Sequence, residues 1–252
     1  MTKIEHISCV IIAKNAQATI RETLKSLSNF SDVVVFSNNS TDETDNIVEE
    51  FTNTNLVIGD FIGFGPTKNL AATYAKNEWI LSLDADEVLT KKFVQNLSIL
   101  HLQENHVYSI LRINFYKNTQ IKHCWGNDNL VRIYNKKITK FTDKKVHEKI
   151  IIKNLETQQI DGEVKHYPYS SITDFIIKLD RYSSIYAEDN VGKKNSSPSK
   201  AILNGLFSFF KTYFLKRGFL DGYAGLIIAF SHMATNFYKY IKLYELNREN
   251  IK

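Results

Sequence analysis

Over roughly the first 100 residues, short uninterrupted apolar runs alternate with segments of helical periodicity. Residues 7–13 (ISCVIIA) form one such run, rich in β-branched side chains, as expected for a strand covered on both faces. Residues 18–27 then place Ile20, Leu24 and Leu27 at helical spacing, and residues 33–36 predict a second buried strand. Ser40-Thr41-Asp42-Glu43 carries N-cap chemistry ahead of a helix whose inner face is Ile47, Val48 and Phe51. A third strand is expected at 56–58. Gly63, Gly65 and Pro66 predict a loop before a helix over 67–76, and a fourth strand is expected at 79–83. Strands alternating with helices imply an α/β fold with a mostly parallel, doubly wound sheet.

The last third reads differently. Residues 172–188 and 199–245 predict helices, the second carrying Leu203, Leu206, Phe207, Phe210, Tyr213 and Phe214 as one stripe. No stretch of about 18 uninterrupted apolar residues exists to span a bilayer. With 43% hydrophobic and 23% charged residues, the chain has what a folded core needs. Cys9 and Cys124 are too few for a disulfide framework and lack paired metal spacing, which fits a reducing compartment; no secretory signal pattern opens the chain, so a cytoplasmic protein is expected. The net charge of +5 is concentrated: Lys193, Lys194, Lys200, Lys211, Lys216 and Arg217 lie in a stretch from Asn190 to Leu220 that has no acid. That asymmetry argues against a general nucleic-acid binder. Basic charge beside an aromatic and aliphatic stripe suits either a membrane interface or packing against neighbouring elements.

The candidate chemistry lies in WILSLDADEVLT, where the fourth strand ends in Asp84, Asp86 and Glu87. Ligands of open α/β sheets gather beyond the carboxyl ends of the strands. Carboxylates this close repel one another and raise each other's pKa unless a cation intervenes. One reading is a solvated turn capping the next helix. The other is a site in which Asp84 and Asp86, projecting alike from an extended segment, share Mg2+ or Mn2+ with a phosphate. No G-x-x-x-x-G-K-[ST] or G-x-G-x-x-G pattern is present.

The segments ISCVIIAKNAQATIRETLKSL, SNNSTDETDNIV, GFGPTKNLA and WILSLDADE stand in the order and spacing of family 2 glycosyltransferases, which the chain resembles over nearly its whole length. VHEKI, KHYPYSSITDFIIKLDRYS and KRGFLDGYAGL resemble the bacterial lipopolysaccharide-core subgroup, which includes glucosyltransferases acting on inner-core heptose. The resemblance implies a GT-A, Rossmann-like catalytic domain over 1–170, its nucleotide-sugar half about 1–100 and its acceptor half about 101–170, followed by a helical extension over 171–252. It implies that Ala13, Lys14 and Asn15 line the nucleotide site, with Asn38 nearby, and that Asp84 and Asp86 hold ribose and diphosphate through the metal. Lys68 faces the diphosphate or is a solvated helix-start lysine. Where many relatives carry an acid at the end of the second strand, this chain has Ser37-Asn38-Asn39, which leaves recognition of the base open.

The same resemblance makes Glu148 the expected general base for an inverting displacement, with Asp128 as competitor. His166 completes the metal site or is a packed histidine, and His147 orients the base, binds acceptor or is structural. Trp125 is an acceptor platform or a core residue. The implied reaction is hexosyl transfer, glucose from UDP-glucose, onto a lipid-linked lipopolysaccharide or lipooligosaccharide inner-core saccharide, by a protein peripheral to the cytoplasmic membrane face. Other acceptors, and a sugar-nucleotide-binding protein without turnover, are the alternatives.

Overall fold

In the computed structural model, β1 (Ile7–Ala13), β2 (Val33–Ser37), β3 (Thr54–Ile58) and β4 (Trp79–Asp84) lie parallel in the order β3-β2-β1-β4. The structure describes residues 2–144 and 148–249. β1 and β2 are buried along their whole length because both faces are covered. Ile7, Cys9 and Ile11 join Val33 and Val35 on one face, against Ile20 and Leu24 of α1 (Ile20–Ser26) and Ile47 and Val48 of α2 (Thr44–Glu49). Val10, Ile12, Val34 and Phe36 point the other way, onto Ala71 and Ala72 of α3 (Phe64–Thr73). The period of two in the strands thus divides one apolar run between two layers.

α3 begins inside the expected loop. Gly63, at φ 108°, makes the turn, and Pro66 sits in the first helical turn, where a missing N–H leaves no bond unmade. Gly65 has a second role: a Cβ there would lie 1.9 Å from the Thr142 carbonyl oxygen, so only glycine lets residues 142–144 run against the start of α3.

Beyond β4 the sheet turns antiparallel. β5 (Glu87–Leu89) is separated from β4 by two residues, yet it pairs with β9 (Glu156–His166) at the far end of the order β4-β8-β6-β9-β5, where β6 is His106–Tyr116 and β8 is Asn127–Asn135. The sheet therefore curls back on itself around the end of β4. α4 (Lys91–Ser98) follows β5, with the Thr90 side chain accepting the Phe93 N–H as its N-cap. α/β architecture with a mixed, largely parallel sheet flanked by helices is thus the fold of this part.

The chain divides into two units, residues 1–113 with 127–167 and residues 114–126 with 168–252. In the second unit, α5 (Ile172–Asn190) opens on a capping box between Ser171 and Asp174. The single helix expected over 199–245 is broken. α6 (Pro198–Phe210) passes into a π turn at Lys211–Leu215 and a 3-10 turn at Gly218–Asp221 before α7 (Gly222–Glu249). Arg217 adopts a left-handed φ of 55°, and a Cβ on Gly218 would meet the Thr212 carbonyl oxygen at 2.7 Å, so the reversal needs glycine at 218. The reversal aims the buried Asp221 carboxylate at the backbone N–H groups of Lys122, His123 and Cys124, which it accepts at 2.9–3.1 Å.

Inside this unit Trp125 stacks on Tyr169 at 5.5 Å between centroids and donates its indole N–H toward His232 at 3.4 Å. The other His232 nitrogen meets the Thr212 hydroxyl at 2.9 Å. Burial, aided by the charges of Lys216 and Lys239, pushes the His232 imidazole down to about 4 from an ordinary 6.5. A depressed imidazole stabilises the fold above its unfolded pKa and loses that contribution as pH falls toward the folded value. Stability should therefore drop between about pH 6.5 and about pH 4, and His232→Gln should flatten that limb of a plot of Tm against pH.

Candidate functional site

Three features of the chain turn sharply at the carboxyl edge of the parallel strands. Asn15, after β1, and Asn39, after β2, both hold left-handed backbone, at φ 51° and 54°, a conformation asparagine tolerates better than most residues. The Asn15 side-chain oxygen accepts the Thr41 N–H at 2.8 Å, tying the two loops together. Ala13 is buried and its carbonyl accepts the Asn38 N–H at 2.8 Å, while Lys14 is exposed. Asn38 itself is buried, and its Oδ1 is an acceptor with no hydrogen-bond partner among the described residues. A buried amide oxygen left this way is costly unless a ligand or water donates to it.

The third turn is at the end of β4. Ala85 and Asp86 form a turn, so the extended spacing expected for Asp84 and Asp86 does not arise and the two carboxylates meet different partners. Asp84 is bound by Lys68 Nζ at 3.1 Å and Arg132 Nη2 at 2.7 Å. Burial pushes its carboxyl up, but the charges of Arg132 and Lys68, with their hydrogen bonds, outweigh burial and hold it far below the usual carboxylate range. Asp86 faces His166 instead, with Oδ2 and Nε2 3.6 Å apart. Sheet register brings these two together: β5 pairs with β9 so that Glu87 lies opposite His166, and the Tyr167 N–H donates to the Asp86 carbonyl.

Lys68 is 3% exposed on α3, and its ammonium also reaches Glu148 Oε1 at 2.9 Å. Asn69 bonds both the N–H and the carbonyl of Phe141, and Gly65 admits residues 142–144, so α3 fixes the segment that delivers Glu148. Asp128 sits across the β6–β8 pairing from Arg112, whose Nη2 donates to it at 2.8 Å. Lys68, Asp84, Glu148 and Asp128 thus join one network, Asp86 and His166 form an adjoining pair, and Ala13, Lys14, Asn15 and Asn38 line the same strand edge. Trp125 belongs to the packing of the second unit and His147 lies outside the described residues. Among the described residues no three His, Cys, Asp or Glu side chains gather closely enough to hold a metal unaided.

Residues 8–155 match the family model described as Glycosyl transferase family 2. The chain belongs to that family. It is 28% identical over 257 residues to an uncharacterized glycosyltransferase of Rickettsia bellii, covering 96% of this chain and 87% of the relative. It is 24% identical over 249 residues to the lipopolysaccharide core biosynthesis glycosyltransferase LpsC of Rhizobium meliloti, covering 95% and 92%. Among solved structures it aligns with S. aureus TarS at a TM-score of 0.44 and 16% identity, over 100% of this chain and 91% of the other. The protein is a glycosyltransferase enzyme.

In this family 2 glycosyltransferase, Arg112, Arg132 and Asp60 escaped sequence reasoning, and Glu87, noted there, was given no partner. Glu87 is fully buried; one carboxylate oxygen accepts the Asp84 N–H at 3.0 Å and the other meets Arg112 at 3.2 Å and Arg132 at 3.4 Å. The acid was visible in DADE, but the arginines that neutralise it come from strands tens of residues away. Asp60 accepts from Asn39 Nδ2 at 2.8 Å, placing an acid beside the β2 end that lacks one of its own. Removing Arg132 leaves the buried Glu87 and the partly buried Asp84 short of a counter-charge. Arg132→Met should lose about 3–5 kcal/mol in urea unfolding, and adding Glu87→Gln should recover part of it.

Proposed function

We propose that this glycosyltransferase moves a hexosyl group, glucose from UDP-glucose, with inversion onto a lipopolysaccharide or lipooligosaccharide inner-core acceptor, with Mg2+ or Mn2+. The observation that carries the reading is the adjacency of the Asp86–His166 pair to the Lys68–Asp84–Glu148 network at the rim of the parallel sheet. The similarity to LpsC supports the acceptor class. A lipid-linked acceptor places the reaction at the cytoplasmic face of the membrane that carries it.

Asp86 and His166 would hold the ion through a carboxylate oxygen and an imidazole nitrogen that lie 3.6 Å apart. Such an ion, when bound, acts as a Lewis acid on the diphosphate leaving group. The chain's own residues account for the rest. The Asn38 Oδ1 accepts the one N–H of uracil, Asp60 steadies Asn39 beside it, and the loop at Ala13, Lys14 and Asn15 borders the nucleotide. Lys68 and Arg132 bring positive charge to the diphosphate as negative charge develops on it. Glu148 accepts the proton of the attacking hydroxyl, and its contact with Lys68 fixes the carboxylate for that task. Asp128 is held on Arg112 and orients that arginine.

Release of nucleoside diphosphate from a panel of sugar nucleotides tests this. UDP-glucose should turn over fastest and chelation should abolish turnover; preference for another donor, or full activity in chelator, would refute the donor or the metal. Turnover with no donor would favour a binding protein. Glu148→Gln should cut kcat on the order of 10² to 10⁴-fold while Asp128→Asn keeps most of it; the reverse pattern would make Asp128 the base.

A further inference from the structure

α6 is built inside out. A surface helix of a water-soluble fold buries its large apolar side chains and shows its small or polar ones. Here Ala201, Gly205 and, on the π turn, Thr212 are buried, and a Cβ on Gly205 would fit tightly, 3.2 Å from the Met233 carbonyl oxygen and 3.3 Å from Phe237 Cβ of α7. The large groups face outward: Leu203 is 66% exposed, Leu206 57%, Phe207 61% and Phe210 49%. Ring contacts carry this surface past the helix end, from Phe210 to Phe214 at 5.4 Å, on to Tyr213 at 5.3 Å and to Phe219 at 6.3 Å. Leu215, Leu220 and Tyr223 are exposed as well. A contiguous apolar surface of this kind marks an interaction site.

Charge identifies the partner. From Val191 to Tyr244 the only acid is Asp221, and its carboxylate is buried on the backbone of residues 122–124. The same stretch exposes Lys193, Lys194, Lys200, Lys211, Lys216 and Arg217 with no surface carboxylate from its own sequence among them. A second copy would bring these like charges together, whereas a surface of anionic headgroups neutralises them. No described helix is long and apolar enough to cross a bilayer, so the fitting geometry is one that lies on it.

We propose that α6, the π turn and the 3-10 turn form a docking surface for an anionic phospholipid leaflet, the exposed rings and aliphatic groups entering the headgroup boundary while Lys211 and Arg217 meet lipid phosphate. The proposal rests on the membrane placement above, yet uses none of the residues assigned to transfer.

The test is flotation of the full chain with vesicles rich in phosphatidylglycerol and with pure phosphatidylcholine vesicles, at low and high salt. Binding is expected to the first only and to weaken with salt. Lys211→Glu with Arg217→Glu should reduce low-salt partitioning by about tenfold or more, and Leu203→Ser with Phe207→Ser should reduce it at every salt concentration. All four positions are exposed, so thermal unfolding and vesicle-free UDP-glucose hydrolysis should stay unchanged. Failure to float with anionic vesicles, equal binding by the variants, or sedimentation showing a dimer that Phe207→Ser dissociates would overturn the proposal. Wild-type hydrolysis without vesicle binding would sink this surface and leave glycosyl transfer standing, and vesicle binding without hydrolysis would do the opposite.

Discussion

Two carboxylates where β4 gives way to β5 have to be neutralised, and the first unit of the chain is organised around meeting that requirement. Glu87 has no solvent exposure and the Asp84 side chain is only 32% exposed, so each is held by a cation at close range. Lys68 comes from α3, Arg112 from β6 and Arg132 from β8. One electrostatic cluster therefore ties the parallel strands to the antiparallel ones, and the sheet must curl for all three cations to converge.

The cluster is not balanced internally. Asp84, Glu87, Asp128 and Glu148 contribute four carboxylates to three cations, with Asp86 and His166 adjoining. With Asp86 counted there are five carboxylates to three cations, an excess of two that the charge of one divalent cation would balance. Lys68 touches both Asp84 and Glu148, so one ammonium group joins the two carboxylates.

The second unit handles its charges in the opposite way. Its one acid between Val191 and Tyr244 is turned inward on three backbone N–H groups, and His232 is held neutral by burial. The charges that stretch leaves outside are all cationic, beside exposed apolar groups. Small residues let α6 and α7 approach closely, which leaves the bulky side chains of α6 no interior to occupy.

Apolar runs rich in β-branched residues determined β1, β2 and β4 to within a residue, because strands covered on both faces are selected for them, whereas the more exposed β3 began two residues earlier than expected. Glycines and caps were less reliable guides: Gly65 marked a close approach inside a helix, and Gly218 a break within a segment whose apolar periodicity read as continuous. The motif in DADE told where the chemistry lies, and neighbouring letters could not tell which partner each acid takes. Asp84 with Arg132 and Lys68, and Asp86 with His166, are pairings across 48, 16 and 80 positions of chain, set by the turn at Ala85 and the β5–β9 register. Local sequence fixes backbone preference because that energy is local; charge compensation acts through space between distant segments, so only the folded sheet could decide it.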